Sequence, residues 1–279
     1  MDNVPPRTTR RRLLQALAVS PAVGLASAAR AQDAAQAAGL LTANVCMVQT
    51  EVTEGPYYID PKLVRADITE DLPGVPLDMK IQVVSADCVP IEGARVDIWH
   101  CDAAGNYSGF ANQGSDTLAD TSTKTFLRGT QMTDASGLVT FQTIYPGWYK
   151  GRTTHLHYKV FLDTETILTS QIFLPDALSQ YIYDTVAEYG GRGSARDTVN
   201  TSDSIAQQAG YGAFAAIAEQ ADRYVAALVV GVAPMARSST GMTGARPPGP
   251  PPGGRGGRSS ERNPSDPLLG AALIPGGKT

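Results

Sequence analysis

Tyr145-Pro-Gly-Trp-Tyr149-Lys-Gly-Arg152-Thr-Thr-His155-Leu-His157 sets a Pro-Gly break directly before a segment that reads as a strand. A strand turns successive side chains to opposite faces, so His155 and His157 share one face and Leu156 takes the other. Outward from this stretch the same pattern repeats. Residues 78–85, 94–101, 126–133, 138–144, 154–162 and 167–174 are rich in Val, Ile, Thr and aromatics and are bounded by Gly, Pro and Asp. Asp134-Ala-Ser-Gly137 reads as a tight turn between two of them. Short strands at regular spacing predict an all-β protein with a β-sandwich core. A few short peripheral helices complete the expectation, at 176–189 and 211–221, followed by a closing strand over 224–232. No internal repeat is evident.

Two imidazoles on one face can grip a metal ion, but an H-x-H alone is weak evidence. The neighbours strengthen it. Tyr149 and Arg152 lie a few residues upstream, and Asp97-Ile-Trp-His-Cys-Asp-Ala-Ala-Gly-Asn-Tyr107 runs a strand into a glycine turn that ends on a second tyrosine. Two phenols with two imidazoles suit a hard trivalent cation that favours anionic oxygen.

On these residues the chain resembles the intradiol ring-cleavage dioxygenases, the family of protocatechuate 3,4-dioxygenases and catechol 1,2-dioxygenases. The resemblance runs from about Cys46 to about Val232 and implies a non-haem Fe(III) held by Tyr107, Tyr149, His155 and His157. It implies that an aromatic diol and O2 are the substrates and that a cis,cis-muconate-type dicarboxylate is the product. Tyr149 would leave the metal and take a diol proton, Arg152 would stabilise charge developing on the ring, and Gln171 would be a secondary hydrogen-bond donor. Glu51-Val-Thr-Glu-Gly-Pro-Tyr-Tyr58 resembles the family segment that passes the active-site mouth. Tyr57 or Tyr58 would then line the pocket; the alternative is a Gly-Pro turn with surface tyrosines. Only Lys150 and Gly151 separate Tyr149 from Arg152, where protocatechuate dioxygenases carry a longer insertion. The compact form is similar to the exported branch of the family. Two other readings use the same residues: a non-catalytic exported β-sandwich binding module, and a zinc hydrolase built on His155 and His157.

The ends of the chain differ from its body. Thr9-Arg-Arg-Arg-Leu-Leu14, a weak apolar run from Leu13 to Ala28 and the small-x-small Ala29-Arg-Ala31 resemble a twin-arginine signal peptide over residues 1–31. The expected location is periplasmic or secreted, with no stable membrane anchor. Residues 237–279 include Arg246-Pro-Pro-Gly-Pro-Pro-Pro-Gly-Gly-Arg-Gly-Gly-Arg258, which has almost no apolar content and is expected to be disordered. The leader carries five arginines and one aspartate and the tail six basic against two acidic residues, so the body, 32–236, holds 12 basic and 24 acidic side chains. That surface disfavours nucleic acid and anionic membranes as partners; a homo-oligomer is compatible with it.

Three cysteines fall in the body. Outside the cytoplasm a disulfide persists, and an odd count leaves one thiol over. Cys46 with Cys88 is the favoured pair, with Cys101 on a core strand; three separate buried thiols are the alternative. His100, on the strand face of Val96 and Ile98, reads as a hydrogen-bonded core residue, and Trp99 and Trp148 as core or pocket wall.

Overall fold

The computed structural model describes residues 47–60, 62–114 and 119–239. The expected leader and most of the expected tail, with Cys46, lie outside the described residues. Eight strands form two four-stranded sheets. The first has the order β4-β1-β8-β7, from β1 (Pro76–Ser85), β4 (Leu138–Ile144), β7 (Ala216–Glu219) and β8 (Tyr224–Val232). The second has the order β3-β2-β5-β6, from β2 (Arg95–Trp99), β3 (Arg128–Met132), β5 (His155–Leu162) and β6 (Glu165–Phe173). Every pairing is antiparallel except β1 with β8, which run parallel in the middle of the first sheet. β8 is buried over almost its whole length and reads as a nearly unbroken Val, Leu and Ala run, as a central strand should, whereas β1 alternates Leu77, Met79 and Ile81 with Asp78, Lys80 and Gln82 before ending in Val83 and Val84.

The sheets close on a shared apolar core. Leu77, Met79, Ile81 and Val83 of β1 meet Val96, Ile98, Leu156, Tyr158 and Val160 of the second sheet. His100, fully buried, ties the layers together by a 2.7 Å hydrogen bond between Nε2 and Thr143 Oγ1 of the first sheet. Period two then dictates what the opposite face of the second sheet carries: Asp97 and Trp99 on β2, His155, His157 and Lys159 on β5, Thr169 and Gln171 on β6. Register puts Arg128, Trp99, His157 and Gln171 opposite one another across four strands, with Phe173 opposite His155. These polar residues are buried although they face away from the sandwich core, because the segment 48–60 and the loops after β2 and β4 cover them.

The helices are short and peripheral. In α1 (Asp176–Thr185) the expected span is cut early, since Val186 turns extended and only the single 3-10 turn Ala187–Tyr189 follows. The helix expected over 211–221 is not formed. The helix instead occupies α2 (Ser204–Ala209), and 211–221 divides into a 3-10 turn (Tyr211–Ala213) and strand β7. Asp203 caps α2, accepting from the N–H groups of Ile205 and Ala206, and Gly210, at φ +76°, ends it. Beyond it, Ala215 N–H bonds Phe173 O and residues 216–219 pair with β8, so sheet edges supply partners that outweigh the alanine-rich helical pattern. Beyond β8 the chain lies back on the second sheet and the segment before β1, where Ser238 N–H bonds Thr166 O and Ser239 N–H bonds Glu51. Among the described residues no helix is long and apolar enough to cross a membrane. Cys88 is disulfide-bonded and Cys101 is a buried free thiol.

Candidate metal centre

His155 and His157 project from the first turn of pleat in β5, where the chain enters the sheet. Residues 149–152 make a tight reversal with Arg152 N–H bonded to Tyr149 O at 3.2 Å and Gly151 in the left-handed region. That reversal folds the Tyr149 and Arg152 side chains back toward the histidines. Tyr107 arrives from the loop after β2. Asp102 Oδ1 accepts from the N–H groups of Ala104 and Asn106, and Gly105, at φ +86°, lets the loop pass the backbone of Trp148 where a Cβ would not fit.

Four atoms converge. Tyr107 Oη lies 3.1 Å from His157 Nε2, 3.4 Å from His155 Nε2 and 3.5 Å from Tyr149 Oη. Tyr149 Oη is 3.0 Å from His155 Nε2, and the two Nε2 atoms are 3.1 Å apart. A point equidistant from atoms spaced in this way sits about 2 Å from each, the scale of metal–nitrogen and metal–oxygen bonds.

The protonation pattern agrees with that fit. His155 Nδ1 donates to Thr153 O at 2.6 Å, which leaves a bare lone pair on Nε2 facing the cluster. Burial holds both imidazoles far below their ordinary pKa, reinforced by Arg152 and, for His157, by His155, so both are neutral imidazoles able to donate a lone pair. Burial also pushes the phenols up, Tyr149 to about 12 and Tyr107 well above the ordinary tyrosine value, with the neighbouring Tyr149 adding to the effect on Tyr107. In the absence of a cation these are neutral phenols packed against lone pairs; a cation at the centre would favour their ionised form. The donors beside the histidines are thus phenol oxygens, which suit a hard ferric ion better than zinc.

The surroundings are aromatic and tightly bonded. Trp99 stacks on His157 with centroids 4.9 Å apart, and Tyr57 stacks on Tyr107 at 4.5 Å. Tyr58 turns away from the centre and donates to the buried Asp97 at 2.9 Å, so Tyr57 is the tyrosine of the pair that reaches the site. The strap 53–58 is tied down at four places: Gln171 Nε2 to Thr53 O at 2.9 Å, the buried Glu54–Lys159 ion pair, Gly55 against the His157 ring, and Arg128 to Tyr57 O at 2.6 Å.

Arg152 is partly buried beside the cluster with a terminal nitrogen 3.4 Å from His155 Nε2. Its other terminal nitrogen donates to Gln171 Oε1 at 2.5 Å and its Nε to Asp203 at 2.8 Å. Burial works against its charge, but the tyrosines and Asp203 outweigh burial and raise its pKa. Gln171 is therefore engaged at both ends of its amide, by Arg152 and by Thr53 O, and acts here as a holder of the arginine.

All six residues expected at the site are brought together. Sequence reasoning missed Asp203, Gly55, Arg128 and the Glu54–Lys159 pair. Asp203 had a readable signal as a helix cap, but its other partner, 51 residues away in sequence, did not.

A family model described as "Dioxygenase" matches residues 53–213. An intradiol ring-cleavage dioxygenase from Tetranychus urticae is 34% identical and superposes with a TM-score of 0.63, covering 70% of this chain and 98% of that one. The dioxygenase domain of a dioxygenase–carbohydrate-binding protein fusion from Streptomyces sp. SirexAA-E is 26% identical with a TM-score of 0.50, covering 67% of this chain and 99% of that one. The catechol 1,2-dioxygenase of Acinetobacter baylyi is 30% identical in an alignment of 179 residues that covers 56% of this chain and 55% of that protein. The chain thus spans about half the length of this curated relative. With its two-sheet fold, its converging tyrosines and histidines and a family match over more than half its length, this chain belongs to the intradiol ring-cleavage dioxygenase family.

Proposed function

We propose that the protein cleaves a catechol-type diol between its two hydroxyl-bearing carbons with O2, giving a cis,cis-muconate-type dicarboxylate. Both oxygen atoms of O2 enter the product, so diol plus O2 balances the dicarboxylic acid without another reductant. The observation that carries the proposal is the convergence of Tyr107, Tyr149, His155 and His157 on one point. These four would hold a ferric ion, which when bound supplies Lewis acidity and a template for the two diol oxygens.

The chain's own groups divide the remaining work. Tyr107 is fully buried and stacked under Tyr57, a fixed ligand. Tyr149 sits on the 149–152 turn and is partly exposed, so it is the phenol with room to swing out and accept a diol proton. Arg152, charged and held in one plane, faces the centre and stabilises negative charge that grows on the ring. Trp99, Tyr57 and the strap exclude water from one side of the site. The protein is further proposed to act outside the cytoplasm, after twin-arginine export of the folded, metal-loaded chain.

The test is catechol turnover under 18O2 by the iron-containing protein. Uptake of one O2 per diol, with one labelled atom in each carboxylate of a ring-opened product, supports the proposal. Catechol binding without O2 uptake would overturn it in favour of a non-catalytic binding module.

A further inference from the structure

Arg152 enters the site on a side chain with four rotatable bonds, yet only one orientation aims its fork at a bound ring. Asp203 limits that freedom. Its Oδ2 accepts from Arg152 Nε at 2.8 Å and from Thr153 N–H at 2.9 Å, while Oδ1 accepts from Ile205 N–H at 2.8 Å and Ala206 N–H at 3.1 Å. The side chain is 1% exposed. Burial acts against the carboxylate's charge, and Arg152 with the backbone N–H groups outweighs it, so the pKa is lowered and Asp203 is ionised. One carboxylate therefore joins the start of α2 to the residue pair that leads into β5, and holds the guanidinium at Nε while Gln171 holds it at a terminal nitrogen.

We propose that Asp203 is a positioning residue that fixes the plane and reach of Arg152 over the reacting ring. The proposal rests on the reading of this centre as a diol-cleaving one. Asp203 itself stands behind the arginine and acts through it.

Asparagine separates the clamp from the cap. An amide has one oxygen, so Asp203→Asn can keep accepting from Ile205 and Ala206 only by turning its NH2 toward Arg152 and Thr153, donor against donor. Asp203→Ser also keeps a helix cap but is too short to hold the arginine. The experiment compares wild type, both Asp203 variants, Arg152→Ala and the double variant Arg152→Ala/Asp203→Asn. It reads iron content, thermal midpoint, the visible-band shift on titrating catechol, and kcat. In the wild type, iron and the catechol-induced shift come first; their absence would overturn the reading of the centre itself, before any substitution is judged.

Given both, Asp203→Asn and Asp203→Ser should keep iron and bind catechol within about threefold of wild type, while kcat falls roughly 10–100-fold, as a slightly misplaced catalytic group produces. In the Arg152→Ala background, Asp203→Asn should lower kcat by less than about threefold, because the residue it acts through is gone. Retention of kcat in both single variants would overturn the proposal. So would an equal loss in both backgrounds, or a loss that tracks iron content or thermal midpoint, since each marks a structural role.

Discussion

Replacing Gly55 with alanine tests whether the strap shapes the centre or merely covers it. Gly55 sits at φ +71°, where an L side chain costs about 1–2 kcal/mol. Its new Cβ would lie 3.2 Å from His157 Cε1, tighter than ordinary contact, and the ring cannot retreat freely because Trp99 is stacked on it. Backbone strain alone predicts a thermal midpoint lower by roughly 2–8 °C for a domain of this size. The push on the ring adds a second effect, since Cε1 is bonded to the Nε2 that faces the other three donors. Displacing a ligand from its supporting contacts typically weakens metal binding about 10–100-fold. Gly93→Ala is the control: Gly93 has φ +74°, but its Cβ would meet nothing within 4 Å. Both variants should lose stability, and only Gly55→Ala should release iron faster to a competing chelator. Equal iron retention in the two would refute the claim that the strap holds His157 in place.

Arg152→Ala should keep its iron and its catechol-induced spectral change while kcat drops about 10²–10³-fold, since the charge it meets is largest in the transition state; a loss of affinity with turnover intact would make it a binding group instead. The metal-free protein should be acid-labile. Burial lowers the folded-state pKa of His155, of His157 and of His100, the last to about 4, whereas the unfolded chain protonates near 6.5. Their contribution is thus fully present above about pH 6.5 and is lost as pH falls below it, at up to about 1.4 kcal/mol per pH unit for each histidine; urea denaturation of chelated protein that is equally stable at pH 7.5 and 5.5 would contradict this. Replacing Arg10, Arg11 and Arg12 with lysine should leave the protein in the cytoplasm on fractionation, and undiminished export would show that the leader is not of the twin-arginine type.

What the sequence disclosed follows the range over which each interaction acts. The H-x-H and the strands around it are local patterns, and the observed elements fall within a few residues of them. The site residues were legible because four of them, Tyr149, Arg152, His155 and His157, lie within nine positions of chain, and the strand period fixes which of them share a face. The helix expected at 211–221 failed because an alanine-rich segment is decided by what pairs with it, and β8 was available. Asp203 was hidden for the same reason. Its capping role is written beside it, but its bond to Arg152 exists only once α2 has packed against the start of β5. The role of Gln171 also shifted, since nothing local reveals that Thr53 O and Arg152 occupy both ends of its amide.

The proposed chemistry requires a ferric ion bound by two phenolates and two imidazoles. Metal analysis of protein purified without added metal, with its visible spectrum, tests this most directly. One iron per chain and a tyrosinate-to-iron absorption band that is lost or strongly altered in Tyr107→Phe is the result expected. Colourless protein carrying zinc, or iron whose spectrum is indifferent to that substitution, would contradict it.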